Sequence, residues 1–192
     1  METFEFTLIA SGLDPEAEDF EQRFFEAGCG DATVSFQKGH ILVDFAREAP
    51  TLQEAVLSAV ENVQSTGAVV RRLEPDPLVS LSDMAARSKM SRAAMTHYFK
   101  GLRGRDFPAP KARITTESPL WDWADVSLWL YANGRLSQEI VTFAAVLSSA
   151  NHLISRGETD LRSQLGRRVE DLMSGLQNGP VAPVRSKRQK VP

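Results

Sequence analysis

The chain has 192 residues with 22 Lys+Arg, 25 Asp+Glu, three histidines and a single cysteine, which allows one large or two small domains around a buried core. No apolar run approaches the roughly 20 residues of a membrane span, METFEFTLIASG lacks the basic segment and cleavage pattern of a signal peptide, and Cys29 has no intramolecular partner, so a reducing cytoplasm is the expected location. The net charge of −3 hides an asymmetry: residues 1–77 hold 5 basic against 15 acidic side chains, residues 78–120 hold 8 against 3, and residues 121–192 hold 9 against 7, so only the later part suits a polyanion.

Phe4, Phe6 and Leu8 alternate with Thr3, Glu5 and Thr7, the period-2 pattern of a half-buried strand. Asp14-Pro15 supplies a cap and a first-turn proline for a helix that buries Phe20 and Phe24 and stops at Gly28. Thr33–Phe36 and Ile41–Phe45 flank Gln37-Lys38-Gly39-His40 as a hairpin. Thr51 with Glu54 caps a helix carrying Leu52, Val56, Ala59, Val60 and Val63, Gly67 ends it, and Ala68–Leu73 is the closing strand. The order βαββαβ predicts a ferredoxin-like sandwich over residues 1–74, a fold that names no function. Its hairpin lacks the stacking aromatics of an RNA-binding sheet, and Glu16, Glu18, Asp19 and Glu21 read as a solvated first turn. Cys29 reads as a half-buried filler, with a redox sensor as the alternative. Residues 75–77 of Glu74-Pro75-Asp76-Pro77 form a stiff linker.

Two helix starts follow close together. Ser80 and Asp83 make a capping box ahead of a helix with Leu81, Met84 and Ala85 on one face, and Met90 is placed to tuck under the turn. Ser91 caps a second helix, SRAAMTHYFK, with Ala94, Met95 and either Tyr98 or Phe99 inward. Arg92, Ala93, Thr96, His97 and Lys100 face outward with no carboxylate among them, a face suited to the major groove; a helical hairpin with a solvated basic face is the plainer reading. Gly101–Arg105 is a flexible basic loop, and Phe107-Pro108-Ala109-Pro110 enforces an extended path. Lys111–Ile114 is expected as a strand, Thr115–Pro119 as a turn and Leu120-Trp121 as the return strand. Asp122 and Asp125 repeat the capping pattern at the start of a helix bearing Trp123, Val126, Trp129 and Leu130.

The succession LSDMAARSKMSRAAMTHYFKG, FPAP and PLWDWADVSLWL resembles the AlpA/excisionase-type branch of the MerR-like winged helix-turn-helix DNA-binding proteins, over about residues 78–130 only, within a domain expected at 78–133. The resemblance implies a recognition helix, 91–100, in the major groove of double-stranded DNA and a wing, 111–118, along the backbone or minor groove. Where such proteins often carry glycine in the turn, this chain has Ser88-Lys89, which requires a left-handed lysine.

Leu136, Ile140, Phe143, Ala144, Leu147 and Ile154 form one later stripe, capped near Ser137, and Leu161, Leu165, Val169, Leu172, Met173 and Leu176 form another beyond Gly157. This hairpin, 134–177, is expected either to pair two chains as a homodimer or to fold back on the winged segment. Residues 178–192, with Arg185, Lys187, Arg188 and Lys190, read as a disordered basic tail.

The expectation is therefore an α+β protein acting as a dimeric, sequence-specific transcriptional regulator of bacterial or prophage type, cytoplasmic and nucleoid-associated. Arg92, Ala93, Thr96 and His97 would read bases, while Ser91, Lys100, Arg103, Arg105, Lys111 and Arg113 would hold phosphates or probe the minor groove. The alternatives are an antitoxin-like adaptor whose residues 1–74 bind a protein partner, and an excisionase-like protein that bends DNA. No enzymatic activity, metal or cofactor is expected. His40, His97 and His152 have no ligand or triad spacing, and no glycine-rich loop follows a strand and opens a helix.

Overall fold

In a computed structural model of the chain, residues 1–177 are described; the expected basic tail lies outside them. The fold is mixed α+β, with one four-stranded antiparallel sheet, and no described helix is long and apolar enough to cross a membrane. The described residues divide into two compact units, one of residues 1–77 with 142–170 and one of 78–141 with 171–177.

In the first unit β1 (Glu2–Ser11) pairs with β3 (His40–Ala49) and β4 (Val69–Glu74), and β3 pairs with β2 (Ala32–Gln37), giving the order β2-β3-β1-β4. Both expected strands of the hairpin are longer than their apolar cores suggested, because the turn contracts to Lys38 (φ 52°) and Gly39 (φ 79°). Positive φ at both central residues matches the right-handed twist of the flanking strands. In register, Phe6 faces Phe45, Leu8 faces Val43 and Val34 faces Val43 from the other side, so one face of the sheet is continuously apolar.

The first helix, α1 (Phe20–Glu26), begins later than Asp14-Pro15 promised. The Asp14 carboxylate accepts from the Glu16 N–H, and the Ala17 and Phe20 amides donate to the carbonyls of Asp14 and Ala17 three residues back. The proline therefore opens tight turns rather than an α-helix. Phe20 and Phe24 are buried as expected. Helix α2 (Leu52–Ser65) keeps its expected cap, the Thr51 hydroxyl accepting from the Glu54 N–H at 3.2 Å. All five expected core positions are buried, but so are Ala55 and Leu57, off that stripe.

The extra cover on α2 comes from the C-terminal helices α6 (Gln138–Ser155) and α7 (Leu161–Gln177). Val146, Leu147, Ala150, Leu153 and Leu165 join the same apolar cluster as α2 and the sheet. Arg162 bridges Glu54 at 3.1 Å and Glu61 at 3.0 Å on α2. The Asn151 side chain closes the outer edge of β4: its oxygen accepts from the Leu73 N–H at 2.7 Å and its amide donates to the Leu73 carbonyl at 3.0 Å. The sequence reading made residues 134–177 a hairpin of their own; instead residues 142–170 belong with 1–77, since the acidic unit's core is incomplete without them.

One buried cation sits in this unit. Arg47 is 6% exposed and forms a bidentate pair with Asp31, both contacts 2.8 Å, while donating to Ser58, Asn62 and the Gly28 carbonyl. Its guanidinium also lies 4.5 Å from the centre of the Phe45 ring. Those hydrogen bonds hold the Asp31 carboxyl below its ordinary range, whereas burial pushes the neighbouring Cys29 thiol up, so Cys29 behaves as a small apolar filler.

Candidate nucleic-acid interface

The second unit is built from local signals the sequence states plainly. Helix α3 (Leu81–Ser88) opens on the expected capping box, with the Ser80 N–H donating to Asp83 at 2.8 Å and the Asp83 N–H donating to the Ser80 hydroxyl at 3.3 Å. The Ser80 N–H, and then its hydroxyl, hold the Asp83 carboxyl below its usual value. Lys89 ends the helix at φ 54° and ψ 33°, the left-handed lysine that the missing glycine requires, and the Met90 N–H reaches back to the Ala85 carbonyl. Helix α4 (Arg92–Phe99) then starts on Ser91, whose hydroxyl accepts from the Ala94 N–H at 3.1 Å.

Met95 and Tyr98 are the buried residues of α4, which resolves the choice left by periodicity. Phe99 is 42% exposed and rests edge-on against Trp121, with ring centres 5.1 Å apart. Ser91, Arg92, Ala93, His97 and Lys100 are exposed on the helix. Thr96 is half-buried, and its hydroxyl donates to the Arg92 carbonyl at 2.9 Å, so towards a base it keeps only acceptor capacity. Arg92, Lys100, Arg103, Arg105 and Arg113 make no ion pair among the described residues. Their charge is thus uncompensated, the condition phosphate binding needs.

The basic loop is pinned rather than free. The amides of Leu102 and Arg103 both donate to the His97 carbonyl, at 2.9 and 3.2 Å, and the Trp129 indole N–H donates to the Arg105 carbonyl at 2.9 Å. Gly104 lies at φ +75°, and a Cβ there would meet the Trp129 ring at 2.7 Å, so only glycine lets the loop pass the indole. The sequence reading missed this contact; its signal was a glycine inside a basic loop with a tryptophan-rich helix downstream. Tyr98, Phe107 and Trp129 complete an aromatic cluster under the loop, and the Trp121 indole N–H donates to the Pro108 carbonyl.

The wing departs from expectation in two ways. Its strands shrink to one bridge, Ala112 with Leu120, because Arg113 turns to φ 51° and its carbonyl accepts from the Thr116 N–H. The return strand pairs elsewhere: β6 (Trp121–Asp122) lies against β5 (Leu78–Val79), with Val79 opposite Trp121. Arg113 stays exposed in the turn, but Lys111 is engaged, its ammonium 3.1 Å from Asp125, which raises its pKa. Helix α5 (Trp123–Ala132) is capped by Asp122 alone, accepting from the Ala124 N–H; the second carboxylate of the expected capping pattern, Asp125, is the one that holds Lys111.

The unit can present cations and a small-residue helix face to a polyanion. Among the described residues no group of three His, Cys, Asp or Glu is placed to hold a metal. No family model, curated protein or solved structure matches the chain.

Proposed function

We propose that this protein is a sequence-specific DNA-binding regulator, active as a homodimer in the cytoplasm and nucleoid. In this reading residues 78–133 are a MerR-like winged helix-turn-helix of the AlpA/excisionase type, attached to a ferredoxin-like sandwich. The order β2-β3-β1-β4, with helices after β1 and β3, supports the second name. Two capped helices across a left-handed turn, then a hairpin and a third helix, support the first.

The observation that carries the reading is the outer face of α4 and the loop beyond it. Arg92, Ala93, His97 and Lys100 line one exposed side, and Arg103 and Arg105 extend it on a pinned loop, without an ion-paired carboxylate. With α4 in the major groove, Arg92 and His97 meet base edges, Ala93 meets a thymine methyl, and Lys100, Arg103 and Arg105 meet phosphates. Arg113 in the wing turn supplies a further phosphate or minor-groove contact. Lys111 contributes only after leaving Asp125.

A binding titration of the full chain on labelled duplex DNA across salt tests this directly. Log affinity is expected to fall linearly with log salt, at roughly 0.9 per phosphate neutralised, and the Lys100→Ala/Arg103→Ala/Arg105→Ala variant should have a slope smaller by about 3. Binding absent at every salt, or a slope unmoved by that variant, would overturn the proposal.

One observation favours a second reading, an architectural protein that bends DNA. Ile114 is 67% exposed beside Arg113 in the wing turn, and an apolar side chain next to a cation is a form of minor-groove wedge. A circular-permutation gel separates the two: bending lost in Ile114→Ala with affinity largely kept supports the wedge, and no bending excludes it.

A further inference from the structure

The sheet of the first unit has two edges, and the fold treats them differently. At the β4 edge, Asn151 satisfies both backbone groups of Leu73. At the β2 edge, among the described residues nothing pairs on the outer side.

The free groups on β2 follow from its pairing. The Ala46 N–H donates to the Asp31 carbonyl at 3.1 Å, which fixes the alternation of the antiparallel pair. Thr33, Ser35 and Gln37 turn their backbone groups towards β3, and Ala32, Val34 and Phe36 turn theirs outward. The Ala32 N–H is taken by the Cys29 carbonyl at 3.0 Å. The Ala32 carbonyl and both groups of Val34 and Phe36 are left facing out.

An open edge is normally blunted by charge, proline or a bulge. The six residues ATVSFQ carry none of these. Phe36 is 48% exposed at one end and Phe25 is 67% exposed beside the other. Between α1 and the strand lies a groove of about 350 Å³, lined in part by Phe24, Phe25, Ala32 and Val34.

We infer that β2 is the edge through which two copies of this chain pair, extending one four-stranded sheet into the next. A two-fold axis at Val34 sets Val34 opposite its own symmetry mate and Ala32 opposite the mate's Phe36. Only residues with outward backbone groups then meet as hydrogen-bonded pairs. The pairing closes reciprocal Val34 bonds and, on each side, a bond from the Phe36 N–H to the Ala32 carbonyl. The apolar face of each sheet continues into its mate, and Thr33 meets Ser35 on the other face. The strand carries no charge to set against itself, and the Asp31 carboxylate at its start is already neutralised by Arg47, so no like charges oppose an antiparallel mate. This rests on the homodimer of the reading above and moves its contact away from residues 134–177, whose Leu147 and Leu165 are already buried within one chain.

Sedimentation of the full chain, with amide exchange, tests it. The wild type is expected at twice the chain mass, with the Val34 and Phe36 amides protected. T33K/S35K sets like charges opposite one another on both sides of the axis and is expected to weaken pairing about tenfold or more, freeing those amides. T33K/S35E sets unlike charges there, with the new lysine also opposite Asp44 of its own sheet, and is expected to stay paired. Circular dichroism matching the wild type shows that both variants fold. A monomeric wild type, a T33K/S35K chain that pairs as before, or freely exchanging Val34 amides in a dimer would each overturn the inference. Loss of DNA binding with the mass and exchange results intact would remove the regulator reading and leave this one standing.

Discussion

Arg47 shows how one residue can fix a unit's interior. A cation only 6% exposed survives there because a carboxylate, a hydroxyl, an amide, a carbonyl and an aromatic face all meet it. Arg47→Met is expected to destabilise the fold by about 3 kcal/mol, near the low end for breaking a buried pair, because Asp31 can still reach water; urea unfolding checks it. The pH arm has a definite sign. Asp31 is held below its ordinary value, so its pairing contributes in full above about pH 4 and is lost as pH falls through the lowered folded value. Wild-type stability should therefore fall more steeply below pH 4 than that of Arg47→Met. On α4, under the proposed function, Arg92→Ala is expected to cost about 1–3 kcal/mol on a specific site and little on random duplex. Equal losses on both would make Arg92 a phosphate contact.

At the scale of elements, what is local was legible. The caps at Ser80, Ser91, Thr51 and Asp122 stand where the sequence put them, because a cap involves residues within one turn of each other. The partner of a strand is not local. Leu120-Trp121 was expected to fold back on 111–114, but Trp121 pairs with Val79, about forty residues earlier, and nothing near Leu78-Val79 announces a strand. The α6 stripe was only partly legible: of Leu136, Ile140, Phe143, Ala144, Leu147 and Ile154 only Ala144 and Leu147 are buried, while Val146, Ala150 and Leu153, off that stripe, join the core of the first unit, which lies far away in sequence. Asn151 is the clearest case: a polar residue between Ala150 and His152 on a helix, whose task at Leu73 lies 78 positions away. Asn151→Ala leaves that N–H and carbonyl unpaired. It should cost about 1–3 kcal/mol, read as a lower unfolding midpoint and faster exchange of the Leu73 amide.

For the whole molecule, the charge split was a guide to the units but not to their borders. Residues 1–77 look separable, with their −10 net charge and the proline-rich connector at 74–77. Yet Val146, Leu147, Ala150, Leu153 and Leu165 belong to the same core. Residues 1–77 expressed alone are expected to unfold without a sharp cooperative transition, whereas the full chain unfolds cooperatively. A fragment as stable as the parent would show that the helices merely decorate the sheet. The exposure of Arg92, Ala93, His97 and Lys100 on α4 was legible, since an outward helix face is a local pattern, but the half-burial of Thr96 was not. Also hidden was the support beneath that face: Gly104 passing Trp129, and Asp125 holding Lys111.

Under the proposed function the α4 face reads DNA sequence. Selection of bound fragments from random and genomic DNA by the full-length chain, at about 0.15 M salt where nonspecific attraction is screened, tests it most directly. An enriched inverted repeat is expected, with preferred bases that change when the selection is repeated with Arg92→Ala. Recovery of no motif, or of the same motif by both proteins, would contradict it.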